Sequence, residues 1–364
     1  MSVPTPRAAI AGIGTPMGAI PELLRPGMQR LCSNESPLGA SKMAIAAATA
    51  ALARSHEYPE GEGGDLIEAL AAHFGVRPNR IRLGSGSDTL MMYATTAFAG
   101  PGDEVIFSAR GYSRYARNAL IAGAAPVPAG DRDFRADPDA ILAVVTPRTR
   151  LVMLANPDNP SGAMLSLAEI ETLHARLPGN VLLIVDGAYA DYVRDPAYGD
   201  GGLALAGRTD NVMVSRTFSK LFGMAGLRLG WLTGNRVVLD AVGKVGPTFP
   251  VTRPTLAAGR AALADTTHQR AARAHNDRYL PWLAETLGRS NQLRLYPSQS
   301  NFQLIDFPTR ETVRDCSAHL AANGILVRHF GPGAHERQMR ISIGSGPALE
   351  RAAALITGFL EQGG

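Results

Sequence analysis

The chain reads as an α/β protein, with a large domain on a mainly parallel sheet followed by a smaller α+β domain. Three observations carry that reading. Short apolar runs alternate with helix-like stretches through the first two-thirds of the sequence. After about residue 255 the alternation stops and a long helical stretch leads into a second set of strands. With 364 residues, 45% hydrophobic and 19% charged, the chain supplies more core than one small domain needs.

Taken in order, residues 1 to about 40 are rich in Gly and Pro, hold no aromatic residue, and read as an arm. Arg7 ahead of Ala8-Ala9-Ile10-Ala11-Gly12-Ile13 is too short and too interrupted for a signal peptide. No apolar segment approaches the roughly 20 residues that cross a bilayer, so a soluble, cytoplasmic protein is expected. Ser41 to Arg54 is alanine-rich and predicts a helix. Asp65 to Phe74 follows as an amphipathic one, with Leu66, Ala69, Leu70 and His73 at helical spacing. The apolar runs Val105-Phe107, Leu151-Leu154, Val181-Val185 and Val212-Val214 predict buried strands. Between them, Leu90-Ala99, Tyr115-Ala122 and Leu167-Leu177 predict helices.

The large domain is thus expected over 41–255 and the smaller over 256–364. In the latter, Ala257 to Leu287 predicts one long helix. Leu293-Tyr296, Asn301-Ile305, Ile325-Arg328 and Met339-Ile343 predict strands, and Arg310-Asn323 and Ala348-Glu361 further helices. The net charge of +4 is spread without a basic block, which argues against nucleic acid and leaves anionic small ligands open. Cys32 and Cys316 match no metal or disulfide spacing, so no metal is expected.

The chemistry concentrates at predicted strand ends, where ligands of such sheets bind. In Thr217-Phe218-Ser219-Lys220, a lysine follows two hydroxyl residues, with Arg228 eight positions later. Lysine becomes a nucleophile toward an aldehyde in a dry, electropositive setting, and hydroxyls with an arginine suit a phosphate monoester. An aldehyde and a phosphate on one molecule point to pyridoxal 5′-phosphate (PLP), held as a Schiff base on Lys220. Gly84-Ser85-Gly86-Ser87-Asp88-Thr89 opens a helix, where Ser87, Asp88 and Thr89 offer capping groups at a positive end. A dinucleotide loop lacks its third glycine here, since Thr89 stands there. A plain helix cap stays open.

Asp186 ends the most apolar strand and needs a partner such as a pyridinium nitrogen, although a capping aspartate reads the same way. Asn159, in Asn156-Pro157-Asp158-Asn159-Pro160-Ser161-Gly162, either bonds a ring phenolate or is an ordinary turn residue. Tyr112 stacks on a planar cofactor or sits in the core. Arg340, alone in the strand Met339-Ile343, takes an anion if it points inward and is a surface charge otherwise. Arg328 has the same ambiguity.

Assembled, these residues resemble the fold-type I PLP-dependent aminotransferases, and among them the histidinol-phosphate aminotransferases. The similarity runs from Ser33-Asn34-Glu35-Ser36-Pro37-Leu38-Gly39 to Arg340-Ile341-Ser342-Ile343-Gly344. It implies that Lys220 binds PLP and shuttles a proton, Asp186 pairs with the pyridine nitrogen, and Asn159 and Tyr189 bond the ring hydroxyl. Tyr112 then stacks on the ring, and Ser87, Asp88, Thr89, Thr217, Ser219 and Arg228 surround the phosphate. Arg340 holds the substrate carboxylate, Arg328 lies near a distal phosphate, and Asn34 falls among the substrate contacts. Tyr58 reaches a neighbouring subunit's site, which implies a homodimer.

Two departures stand out. The arm's Tyr-x-Pro-Gly segment is replaced by Thr15-Pro16-Met17-Gly18, and Gly187 stands where an acid is frequent. The expected reaction moves an amino group between histidinol phosphate and 2-oxoglutarate. The alternatives are an aminotransferase of aromatic or other amino acids, a PLP decarboxylase or lyase, and a non-catalytic PLP binder.

Overall fold

The structure, a computed structural model, describes residues 3–11, 13–14, 26–59, 61, 63–331 and 333–362. The Thr15-Pro16-Met17-Gly18 departure lies outside them.

A seven-stranded sheet forms the larger layer. Its spatial order is Ile81–Gly84, Gly230–Gly234, Val212–Thr217, Leu182–Asp186, Thr149–Ala155, Glu104–Ser108 and Ala125–Ala129. From Val212–Thr217 outward to Ala125–Ala129 every pairing is parallel, while Gly230–Gly234 runs antiparallel to both neighbours. The central strands are buried along their length, because helices cover both faces and each residue needs an apolar neighbour. Three strands escape the apolar-run rule. Ile81–Gly84 and Gly230–Gly234 are short and carry glycine at an end. Ala125–Ala129 carries Pro126 and Pro128, which an outermost strand tolerates because one of its edges needs no ladder donor.

The smaller sheet has the order Gln29–Leu31, Ile325–His329, Gln338–Ser342, Phe302–Asp306 and Arg294–Leu295. Its first strand lies inside the stretch expected to be an arm. Gln29–Leu31 pairs parallel to Ile325–His329, and Leu31 is buried in the small-domain core. Three residues are too few to show a periodicity, so only the pairing reveals the strand. The single helix expected over Ala257–Leu287 is two helices, Arg253–Ala264 and Thr266–Gly288. Asp265 separates them, and its carboxylate accepts from the His268 N–H to cap the second.

The carboxyl ends of Thr149–Ala155, Leu182–Asp186 and Val212–Thr217 open on one side of the large sheet. There they face Arg328 and Arg340 of the smaller sheet, and the cavity between the two sheets has a volume of about 370 Å³.

Candidate active site

Lys220 enters this cavity one turn past the strand Val212–Thr217. Phe218 and Leu221, both fully buried, anchor the backbone on either side of the Ser219-Lys220 pair. The Lys220 ammonium donates to the Ser33 carbonyl at 3.1 Å, and its Nζ lies 5.6 Å from the Tyr189 ring centre. This acceptor is a neutral carbonyl, not a carboxylate.

Below the lysine, a group of donors converges. The Thr217 hydroxyl donates to Ser219 Oγ at 3.0 Å and accepts the Ser219 N–H. Arg228 holds a left-handed backbone (φ 53°), which costs a non-glycine residue about 1 kcal/mol or more and marks a functional constraint. Its Nη1 donates to Ala225 O at 3.0 Å and reaches Ser219 Oγ at 3.4 Å. The guanidinium rests against Gly86, where an added Cβ would come within 2.6 Å of Nη2. Gly230 faces the first turn of the helix Ser87–Phe98 so closely that a Cβ there would sit 2.3 Å from the Ser87 nitrogen. Two hydroxyls, a guanidinium and a helix N-terminus on one wall are donors of the kind that suits a phosphate.

The far wall carries the acid. Asp186 ends its strand 5% exposed, with Oδ1 accepting from the Ser215 hydroxyl at 2.8 Å and from the Ala188 N–H at 3.2 Å. Oδ2 accepts from the Tyr115 hydroxyl at 2.8 Å. Burial pushes the Asp186 carboxyl above its usual range, and the hydroxyls of Tyr115 and Ser215 pull it back. Tyr112 lines the cavity with its ring edge-on to Tyr115, centroids 5.4 Å apart.

Nearer the small sheet, the Asn34 amide donates to the Tyr189 hydroxyl at 2.9 Å, which leaves the phenol's own proton free to donate. Asn34 in turn is bonded to Ser342 and Asn301 of the small domain. Arg340 is 6% exposed and points inward, so the surface-charge reading is excluded. It donates to Asn159 Oδ1 and to the Cys32 carbonyl, and its Nε is buried without a partner. Burial lowers its pKa to about 10, with Arg328 adding to the fall. Arg328 and Arg340 stand directly opposite across adjacent strands, and both line the cavity. Like charges in that register repel, so the arrangement favours an anion beside them.

Most of the expected residues therefore meet in one cavity: Asn34, Ser87, Asp88, Tyr112, Asn159, Asp186, Tyr189, Thr217, Ser219, Lys220, Arg228, Arg328 and Arg340. Thr89 does not, because its hydroxyl turns back to the Ser85 carbonyl as an ordinary helix bond. The Asp88 carboxylate pairs with Arg114 at 2.9 Å, which leaves the backbone N–H, and not the side chain, as the group this residue can offer an anion. Tyr58 lies elsewhere on this chain, 77% exposed and stacked on Phe249 at 4.5 Å. Sequence reasoning missed Tyr115, Ser215 and Arg114. Ser215 carried a partial signal, since strand alternation places it on the face of Thr217, but its register opposite Asp186 emerges only from the sheet pairing. Tyr115, one helical turn past Tyr112, carried none that separates it from a core tyrosine.

Residues 26–356 match the family described as aminotransferase class I and II. The chain belongs to that family. This aminotransferase is 40% identical to the histidinol-phosphate aminotransferase of Paramagnetospirillum magneticum, over 99% of each chain. It is also 40% identical to that of Rhodospirillum centenum, over 99% of this chain and all of the relative. Its fold matches the crystal structure of histidinol-phosphate aminotransferase from Sinorhizobium meliloti in complex with pyridoxal-5′-phosphate. That match has a TM-score of 0.90 at 27% identity, covering 100% and 99% of the two chains.

Proposed function

We propose that this enzyme is a PLP-dependent histidinol-phosphate aminotransferase that passes the amino group to 2-oxoglutarate. The observation that carries the reading is the opposition of Arg328 and Arg340 in the wall of a cavity whose other lining residues suit PLP. The fit to the cofactor rests on the donor set. Thr217, Ser219, Arg228 and the N–H groups of Ser87 and Asp88 suit the phosphate, Asp186 the ring nitrogen, Asn159 and Tyr189 the ring hydroxyl, and Lys220 the aldehyde carbon. When bound, the cofactor supplies an electron sink for the substrate Cα.

The protein's own groups do the rest. Lys220 would carry the proton from the substrate Cα to the cofactor's aldehyde carbon, held on one side of the cavity by the Ser33 carbonyl. Asp186 keeps a positive charge favourable at the ring nitrogen. Arg340 orients glutamate by its α-carboxylate through a planar fork. Histidinol phosphate has no carboxylate, so its phosphate falls to the joint field of Arg340 and Arg328. Glutamate's second carboxylate uses the same field.

The active unit in this reading is a homodimer in the cytoplasm, with domains at 1–40, 41–255 and 256–364 and the strand Gln29–Leu31 belonging to the last. Tyr58 of one subunit then completes the other's phosphate site. Ile45 and Leu52, seven residues apart on one face of the helix Lys42–Leu52 and each at least half exposed, support burial against a second copy. No described helix is long and apolar enough to cross a membrane, and both cysteines are free.

The test is a single-turnover assay of the PLP-loaded protein with L-histidinol phosphate, L-glutamate and L-phenylalanine in turn, following loss of the cofactor's visible absorbance. Rapid conversion by the first two, with phenylalanine far slower, is expected. Conversion by phenylalanine but not histidinol phosphate would move the enzyme to the aromatic aminotransferases. No conversion by any of them would sink aminotransfer itself.

A further inference from the structure

We propose that Tyr115, assisted by Ser215, is a positioning residue that keeps Asp186 ionised and presents its Oδ2 to the cofactor's ring nitrogen. This rests on the reading above that Asp186 meets that nitrogen.

The geometry is a lone-pair count. A carboxylate has about four acceptor positions. Ser215 Oγ–H and Ala188 N–H occupy both positions on Oδ1, at 2.8 and 3.2 Å. Tyr115 occupies one on Oδ2, at 2.8 Å. Oδ2 is therefore the oxygen left with capacity for one more donor, and it belongs to a residue lining the cavity.

The donors come from separate elements. Tyr115 sits in the helix Arg114–Ala122, Ser215 in the strand Val212–Thr217, and Ala188 in the turn after the acid. Three such anchors fix the plane of the carboxylate, not just its place. Tyr115 and Ser215 are 2% and 0% exposed, so water does not replace either bond. A phenol so buried beside a carboxylate holds its proton well above the ordinary range, which makes Tyr115 a permanent donor. Without these bonds, burial alone favours the neutral acid, which offers the ring nitrogen no charge. Tyr115 also buttresses Tyr112 edge-on, so one side chain supports both the acid and the stacking ring.

The test compares apoenzyme affinity for PLP and for its deaza analogue, in which a ring C–H replaces the pyridine nitrogen. Fluorescence titration reads both constants, and a melting curve checks each variant's fold. In Tyr115→Phe, PLP affinity should fall about ten- to a hundredfold, the loss expected for a hydrogen bond to a charged group. Deaza-analogue affinity should stay within about twofold, so the preference for PLP shrinks. Ser215→Ala should shrink it in the same direction, and serves if Tyr115→Phe does not fold. Equal losses for both ligands would reduce Tyr115 to packing, and no loss for either would remove its role. Asp186→Asn separates the two levels. If it keeps the wild-type preference, the reading of Asp186 itself fails. If it loses the preference while both Tyr115→Phe and Ser215→Ala keep it, only this proposal fails.

Discussion

Replacing Asp158 by asparagine should stabilise the protein above neutral pH and leave it unchanged in acid. Asp158 stands in the turn beside Asn159, 6% exposed. Among the described residues its carboxyl accepts the Ser161 hydroxyl at 3.2 Å and the Asn159 N–H, and no cation pairs with it. Burial, with Asp131 and Asp186 adding repulsion, pushes its pKa from 3.8 to about 7.

The sign follows from linkage. Between about pH 4 and 7 the unfolded chain is ionised while the native acid still holds its proton, so the native state binds more protons. Stability therefore falls as pH rises through that window and levels off above it. The rise from 3.8 to about 7, at roughly 1.4 kcal/mol per tenfold change in proton affinity, sets an upper bound of about 4 kcal/mol at pH 8. Asparagine carries no charge and escapes the loss. The expected gain is about 2–4 kcal/mol at pH 8, shrinking to nothing near pH 4. Urea unfolding of both proteins at pH 4.5, 6 and 8, at one protein concentration to hold any oligomer constant, measures it. A gain that is the same at pH 4.5 and pH 8, or absent at pH 8, would refute the reasoning.

Three further outcomes follow from the same geometry. Arg340→Lys keeps a charge but loses the planar fork shared between Asn159 and Cys32, so KM for glutamate should rise about a hundredfold, read by steady-state kinetics. Gly230→Ala drives a methyl into the backbone of Ser87, so the helix start must shift; dialysis against PLP should show affinity down at least tenfold with the fold retained by circular dichroism. Asp265→Ala removes the cap of Thr266–Gly288 and should cost about 1 kcal/mol in unfolding without changing PLP affinity.

How much of this was legible beforehand depended on the kind of signal. The runs Val181–Val185 and Val212–Val214 announced their strands because a strand segment buried on both faces is continuously apolar. Lys220, Asp186 and Arg228 stood out because charged groups amid apolar neighbours need partners. Gln29–Leu31 did not, since three residues carry no period and the strand exists only through its pairing with Ile325–His329.

The sequence alone determined the alternation that makes an α/β sheet and the residue types that a phosphate, an aldehyde and a ring nitrogen require. Only the tertiary structure decided that Arg340 points inward, that Asp88 is spent on Arg114, and that Tyr115 reaches Asp186 across 71 residues. Periodicity and composition are local properties, written within a few turns of chain. Direction, partnership and burial are set by segments far apart in sequence, and they become defined once those segments pack.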